Sequence, residues 1–324
     1  MSVTAKAPAP PHTTVADAVF RAPPTTYFLV SAVFHYLGPA CAVLLFAHVD
    51  VLGVAWLRIA SAAVVFALWR RPWHIWNRAS RSDRQVLLAL GTVLAAMNTL
   101  FYLSVDRLPL ATVGAIEFLG TVVLAAAGTR TRRNALALVL ATGGVAVLTQ
   151  VRITGEPWGF VFAFANCLGF MAYVVLGHRI ANSPATSPRE QAMAGVDRLG
   201  LSMVIASVAA TPIGLAPAVA AFGHPEWLLW GIGVGLCSSV IPYVTDQLAM
   251  ARLPRATFAL MLALLPAAAT IVGLVVLGQV PGVQEVVGVG LVVLGVALHE
   301  SRSVEGHGSD VAEDSRRHPR QLPA

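Results

Sequence analysis

Glu117 is the residue that most demands a chemical explanation. It lies near the middle of residues 109–128, an apolar run with no other charge. A charge at such a position costs about 2.5–3.5 kcal/mol on membrane-insertion scales, so a function must offset it. Its helical neighbours three and four residues away are Val113, Gly114, Gly120 and Thr121. That mostly small face leaves room for a cavity or a closely packed helix. A carboxyl there can bind a substrate ammonium, a coupling proton, or both in turn. A structural hydrogen bond to a neighbouring helix is the plainer alternative.

A short list of other polar groups shares this kind of setting. Asn98 and Tyr102 are four residues apart and so lie on one helical face. They can bind a carboxylate or amide, or bond a neighbouring helix. Asn166 and Tyr173, seven apart, form a similar pair. His35 is a candidate proton carrier, set against an ordinary packing role. Arg58 lies about eight residues inside its run, within snorkelling reach of an interface. The functional alternative is a fixed cation paired with Glu117 or with a substrate carboxylate. Asp246 lies close to Arg252 and Arg255, which favours an interfacial ion pair, with a gate residue as the sharper reading. Tyr243 shares its face and follows Pro242, whose missing N–H marks a bend beside a cavity. Pro39 and Pro266 invite the same reading.

Several chemistries find no support. No HExxH or comparable spacing exists, and most of the nine histidines lie at chain ends or in loops. Cys41, Cys167 and Cys237 fall inside apolar runs without metal-ligand spacing and read as buried, inert thiols. No Gly-rich phosphate loop with Lys-Ser/Thr is present, so drive by ATP within the chain is not expected. No metal or other cofactor is expected.

The elements that position these residues follow from composition. Of 324 residues, 56% are hydrophobic and only 12% charged. Soluble domains carry about 25% charged residues, and the mean hydropathy here is +0.71. The balance excludes a soluble globule and extensive disorder. It leaves an all-α polytopic membrane protein, since an open sheet edge is not viable in lipid. Ten apolar runs can be marked, at about 26–46, 51–69, 85–104, 109–128, 134–150, 157–177, 199–216, 227–248, 255–278 and 282–299. Pro, Gly and charge separate them, as in Arg70-Arg71-Pro72 and Gly155-Glu156-Pro157.

The net charge of +6 is not a nucleic-acid signal, because the basic residues cluster between apolar runs. With ten spans and a cytoplasmic N-terminus, nineteen of the 22 basic residues fall on the cytoplasmic side. Arg107 and Arg152 fall outside, and Arg58 lies within a span. This asymmetry predicts both termini in the cytoplasm of a cell bearing the chain in its inner (plasma) membrane. Residues 1–24 lack the hydrophobic region of a signal peptide, and 301–324 mix charge with Gly and Pro. Both ends are expected to be disordered and cytoplasmic.

The spans also repeat. Arg107-Leu108-Pro109-Leu110-Ala111-Thr112 is similar to Arg252-Leu253-Pro254-Arg255-Ala256-Thr257, 145 residues later. Leu37-Gly38 matches Leu168-Gly169, and Gly144-Val145-Ala146 matches Gly295-Val296-Ala297. The order predicts two five-helix halves, 25–150 and 151–300. Five is odd, so the second half enters the membrane inverted, as in secondary transporters with a site between the halves. Gly231, Gly233 and Gly235, with Gly288, Gly290 and Gly295, read as close helix packing, with a homodimer seam as the alternative.

Met97-Asn98-Thr99-Leu100-Phe101-Tyr102-Leu103-Ser104, then Leu108-Pro109-Leu110 and Ala115-Ile116-Glu117-Phe118, resembles the third and fourth helices of EamA-type carriers of the drug/metabolite transporter superfamily. Ile241-Pro242-Tyr243 with Asp246, Arg252-Leu253-Pro254 and Thr257-Phe258 resembles the eighth and ninth helices of the threonine/homoserine exporter branch. Leu57-Arg58 resembles its second helix. The resemblance spans residues 26–299 and implies a ten-helix inner-membrane exporter of small metabolites such as amino acids. Two departures stand out. Gly120-Thr121 replaces a usual Gly-Pro, and Leu265-Pro266 and Gln279 stand where that branch has glutamates.

The leading expectation is therefore a secondary transporter exporting amino acids, driven by protons and working by alternating access. Its partners are a small-molecule substrate and the lipid bilayer. Sugar, nucleotide or drug carriage is the alternative within the same pattern; a membrane-embedded enzyme or a channel is the alternative outside it.

Overall fold

The computed structural model describes residues 23–128, 131–150, 156–182, 188–253, 258 and 265–298. The expected disordered ends, the loop residues Arg130, Arg152 and Arg255, and the second repeat copy from Pro254 to Thr257 lie outside them. Among the described residues the chain is helical and has no strand.

The helices are α1 (Pro24–Leu45), α2 (Val51–Arg70), α3 (Trp73–Arg78), α4 (Arg81–Val105), α5 (Leu110–Gly128), α6 (Arg132–Gln150), α7 (Pro157–Ala181), α8 (Pro188–Phe222), α9 (Pro225–Gly235), α10 (Ile241–Met250), α11 (Leu265–Leu277) and α12 (Val283–Ala297). A π-helical turn, Leu236–Val240, joins α9 to α10. Among the described residues, six helical stretches are long and apolar enough to cross a membrane: Thr26–Leu45, Val51–Arg70, Arg81–Val105, Pro157–Ala181, Glu190–Phe222 and Pro225–Met250. Shorter apolar helices lie in α5, α6, α11 and α12. The protein is a multi-pass, all-helical membrane protein.

Local chemistry sets the boundaries. The Asp50 carboxylate accepts from the Leu52 N–H, and the Ser80 hydroxyl accepts from the Asp83 N–H, capping α2 and α4. Pro157 and Pro225 open α7 and α9, where a missing N–H costs nothing. Gly278, at φ +63°, follows the last residue of α11 in the left-handed conformation that glycine adopts freely. The short α3 falls in the break between the second and third apolar runs. It carries exposed Trp73 beside His74 and Arg78, the mixture of an interfacial helix.

Outer faces are apolar: Leu68, Val208 and Val275 are 70% exposed or more. The polar residues are inside, the arrangement that lipid demands. α1 packs on α10 and α11; α4 on α7 and α8; α5 on α6, α7 and α11; α2 on α8 and α9; α6 on α12. Glycine permits the closest of these approaches. A β-carbon on Gly144 would meet the Gly288 carbonyl and Val292 of α12, and one on Gly38 of α1 would meet the side chain and backbone of Ser238 in the π-helical turn.

Candidate functional site

Two buried acids sit at the centre, each held by neutral donors. Glu117 Oε2 accepts from the Tyr36 hydroxyl at 3.1 Å, and Oε1 accepts from Asn166 Nδ2 at 3.0 Å. His35 Nε2 lies 3.8 Å from Oε2. Helices α1, α5 and α7 thus converge on one carboxyl. Asp246 Oδ1 accepts from Ser31 at 2.5 Å, and Oδ2 accepts from the Tyr173 hydroxyl at 3.1 Å. Here α1, α7 and α10 converge. Ser31 and His35 are four residues apart on α1, so one helical face serves both acids.

Arg58 lies deep in the interior and is 3% exposed. Its Nε donates to the Ser239 hydroxyl at 2.8 Å, and Nη2 donates to the Ser238 carbonyl at 2.8 Å and to the Tyr243 hydroxyl at 3.5 Å. The Ser238 carbonyl is free to accept because Pro242, four residues on, has no N–H to offer it. None of these bonds uses Nη1. The guanidinium also sits 5.3 Å from the Tyr102 ring centroid. No carboxylate among the described residues lies within ion-pair distance of Arg58.

Asn98 joins the Arg58 group through Tyr243. Its Nδ2 donates to the Leu94 carbonyl at 2.7 Å, and its Oδ1 accepts from the Tyr243 hydroxyl at 3.1 Å. His35, Arg58, Asn98, Glu117, Asn166 and Tyr243 line one narrow cavity, with Met97 and Phe101 as its apolar wall. Its accessible space is that of about one water molecule. Asn166 Oδ1 and the Tyr102 hydroxyl have no hydrogen-bond partner among the described residues. The latter lies near Arg58 and Ser238 but meets neither at bonding geometry.

The structure sorts the sequence candidates. His35, Arg58, Asn98, Glu117, Asn166 and Tyr243 come together around the cavity. Tyr102 stands behind Arg58, and Tyr173 and Asp246 form the adjoining cluster, joined to the cavity by the Tyr173–Tyr243 ring contact at 5.2 Å. Three expectations are corrected. Arg58 does not snorkel, because Ser238, Ser239 and Tyr243 hold its head inside. Nor does it pair with Glu117. Asp246 makes no interfacial ion pair with Arg252, which stacks on Tyr27 instead; Asp246 is buried between Ser31 and Tyr173. Pro242 does mark a break, as the π-helical turn. Arg255 and the side chain of Pro266 lie outside the described residues.

Ser31, Tyr36, Ser238 and Ser239 were not singled out from the sequence. A signal existed for three of them: Ser31 and His35 share a face, and Ser238-Ser239 is a polar pair within an apolar run. Tyr36 carried none beyond its place next to His35. Four of the five tyrosines direct their hydroxyls at this polar centre, which no single position reveals.

No family model matches the chain. Threonine/homoserine exporter RhtA of Salmonella typhimurium (strain SL1344) is 30% identical over 248 residues, 76% of this chain and 81% of that protein. The protein of the same name from Escherichia coli (strain K12) is 29% identical over 265 residues, 79% of this chain and 84% of that protein. A solved crystal structure with 17% identity superposes with a TM-score of 0.55, covering 86% of this chain and 98% of the other, and shows a shared fold. The chain belongs to the threonine/homoserine exporter branch of the drug/metabolite transporter superfamily, a family of transporters and not of enzymes.

Proposed function

We propose that this protein exports amino acids of the threonine/homoserine kind across the inner (plasma) membrane. The observation that carries the reading is the separated pair of buried charges in one cavity. Among the described residues Arg58 is a cation without a carboxylate partner and none of its hydrogen bonds uses Nη1; Glu117 is an acid that accepts from Tyr36 and Asn166. An α-amino acid completes both. Its carboxylate meets the guanidinium, and its ammonium meets Glu117 and the unpaired Asn166 Oδ1. Asn98 and Tyr243, which line the same cavity, suit the side-chain hydroxyl of threonine or homoserine. The family membership supports the same substrate class.

The transport cycle in this reading is alternating access. Ten spans, both termini cytoplasmic, form two inverted halves, 25–150 and 151–300. Helix pairing supports this arrangement. Exchanging α1 with α7, α2 with α8, α4 with α9–α10, α5 with α11 and α6 with α12 turns the contact α1–α10 into α7–α4, and α5–α7 into α11–α1. The contacts α2–α8, α5–α11 and α6–α12 map onto themselves, and every one of these contacts occurs. A cavity with room for a water but not for an amino acid fits a closed stage of that cycle. Glu117, with His35 beside it, carries the coupling proton when the substrate has left.

Purified protein in liposomes tests the reading. Labelled threonine and homoserine are expected to exchange, with an acidifying or alkalising shift of the lumen that tracks flux. Absence of flux for every amino acid in a broad panel removes the substrate class. Flux without any change in internal pH removes the proton.

A further inference from the structure

A cleft of about 950 Å³, open to solvent, lies between the short helix α3, the start of α4 and the N-terminal stretch of α8. Its acids are all engaged. Arg70 Nε donates to Asp197 Oδ1, the Ser80 hydroxyl donates to Asp83 Oδ2 at 2.8 Å, and Glu190 also has a partner. Its cations are not. The guanidinium of Arg78 is exposed and has no hydrogen-bond or ion-pair partner among the described residues. Arg198 is half-buried, and its guanidinium makes one bond among those residues, from Nη1 to the Ile180 carbonyl at 3.4 Å. His74 Nδ1 lies 2.8 Å from the Arg71 carbonyl oxygen, which can only accept, so Nδ1 carries the hydrogen and Nε2 is uncommitted.

The surroundings select an anion at a lipid boundary. Residues 70–84 hold five arginines and one acid. Ile75, Leu87 and Met193 give the cleft an apolar wall. Leu68 and Trp69 at the end of α2 and Trp73 at the start of α3 are more than half exposed, so the membrane-facing surface continues to the cleft's border. A soluble anion gains nothing from that border. A phospholipid does, because its phosphate sits on arginines while its chains run along the apolar outer face. We propose that this cleft binds the headgroup of an anionic phospholipid, its phosphate seated on Arg78 and Arg198. The orientation proposed above puts it at the cytoplasmic leaflet, but the site follows from the cleft and its charges, whatever substrate the carrier moves.

Native mass spectrometry of the full chain in detergent tests the site, with dioleoyl phosphatidylglycerol, dioleoyl phosphatidylcholine and glycerol 1-phosphate as probes. Wild type is expected to bind the anionic lipid more tightly than the zwitterionic one, and the water-soluble phosphate ester weakly. Arg78→Gln breaks no side-chain bond among the described residues and weakens the anionic lipid about 5-fold, the worth of one cation near a charged lipid surface. Arg198→Gln adds a second step of similar size; Arg78→Gln alone decides if that variant fails to fold. Arg107→Gln removes the same charge beyond the opposite end of α4 and leaves binding unchanged. Equal affinity for the two lipids, unchanged affinity in Arg78→Gln, or the same loss in Arg107→Gln overturns the site. Glycerol 1-phosphate bound as tightly as the lipid overturns the lipid as its occupant. Lipid binding is read without amino-acid flux, so absent threonine exchange leaves this result standing.

Discussion

The Tyr243 hydroxyl donates to Asn98 Oδ1 at 3.1 Å, joining two residues 145 positions apart. That is the offset between Arg107-Leu108-Pro109 and Arg252-Leu253-Pro254. In the proposed two-half arrangement, equivalent residues touch only on the axis relating the halves. The bond therefore marks that axis, and the cavity lies beside it. A carrier whose halves rock about such an axis must break or rotate this contact in each cycle.

Tyr243→Phe removes the hydroxyl that Asn98 and Arg58 share. Hydrogen bonds between membrane helices average about 0.6 kcal/mol, so stability falls by less than about 1.5 kcal/mol. The effect on transport is larger, because the two halves lose their central tie. Reversible unfolding in detergent and initial rates of threonine exchange measure the two separately. A rate loss no larger than the stability loss predicts would count against the axis role.

Arg58→Lys keeps the charge and loses the geometry. An ammonium cannot serve Ser239, the Ser238 carbonyl and a substrate carboxylate in the plane that a guanidinium offers. The expected result is a folded protein whose KM for threonine rises about 10-fold or more. Exchange kinetics at graded threonine concentrations test it; an unchanged KM would remove Arg58 from the substrate site.

Glu117→Gln retains a side chain that Tyr36 and Asn166 can bond, and removes the titratable charge. Proton-driven accumulation should be lost, and the remaining exchange should no longer vary with pH. Asp246→Asn is the matched change in the adjoining cluster, where Ser31 and Tyr173 each donate to one oxygen of Asp246 and either hydroxyl can turn to accept from the new amide. Flux measured from pH 5 to 8 in the three proteins separates a coupling acid from a structural one.

Gly38→Ala puts a methyl group into Ser238 and displaces the turn that holds Arg58. Overpacking of this kind costs about 1–3 kcal/mol. Gly233→Ala, where a β-carbon has nothing within 4 Å, is the matched control and is neutral or stabilising by about 0.4–1 kcal/mol. Thermal unfolding of the two variants gives the comparison directly.

The membrane class and the helix positions were legible because each apolar run ends in Pro, Gly or charge. The eighth run shows the limit: 227–248 reads as one helix, yet it is α9, a π-helical turn and α10, since Pro242 disturbs bonding on the turn before it. Glu117 stood out as a lone acid in a long apolar run, and Asn98 by the four-residue rule. Arg58 and Asp246 were harder. Depth along a helix says nothing of which way a long side chain turns, and each is bonded by a residue more than 180 positions away, Arg58 by Ser239 and Asp246 by Ser31. Tyr36 and Ser31 are ordinary residues on an apolar helix until α5 and α10 bring carboxyls against them.

The small size of the central cavity sets how this carrier's affinities are to be read. A protein resting with room for about one water binds substrate only in the fraction of molecules that have opened. The measured dissociation constant then equals the intrinsic one divided by that fraction; a 1% open population raises it about a hundredfold. Variants that loosen the Ser31–Asp246 tie, which lies outside the cavity lining, are expected to bind the substrate more tightly at equilibrium while carrying it more slowly.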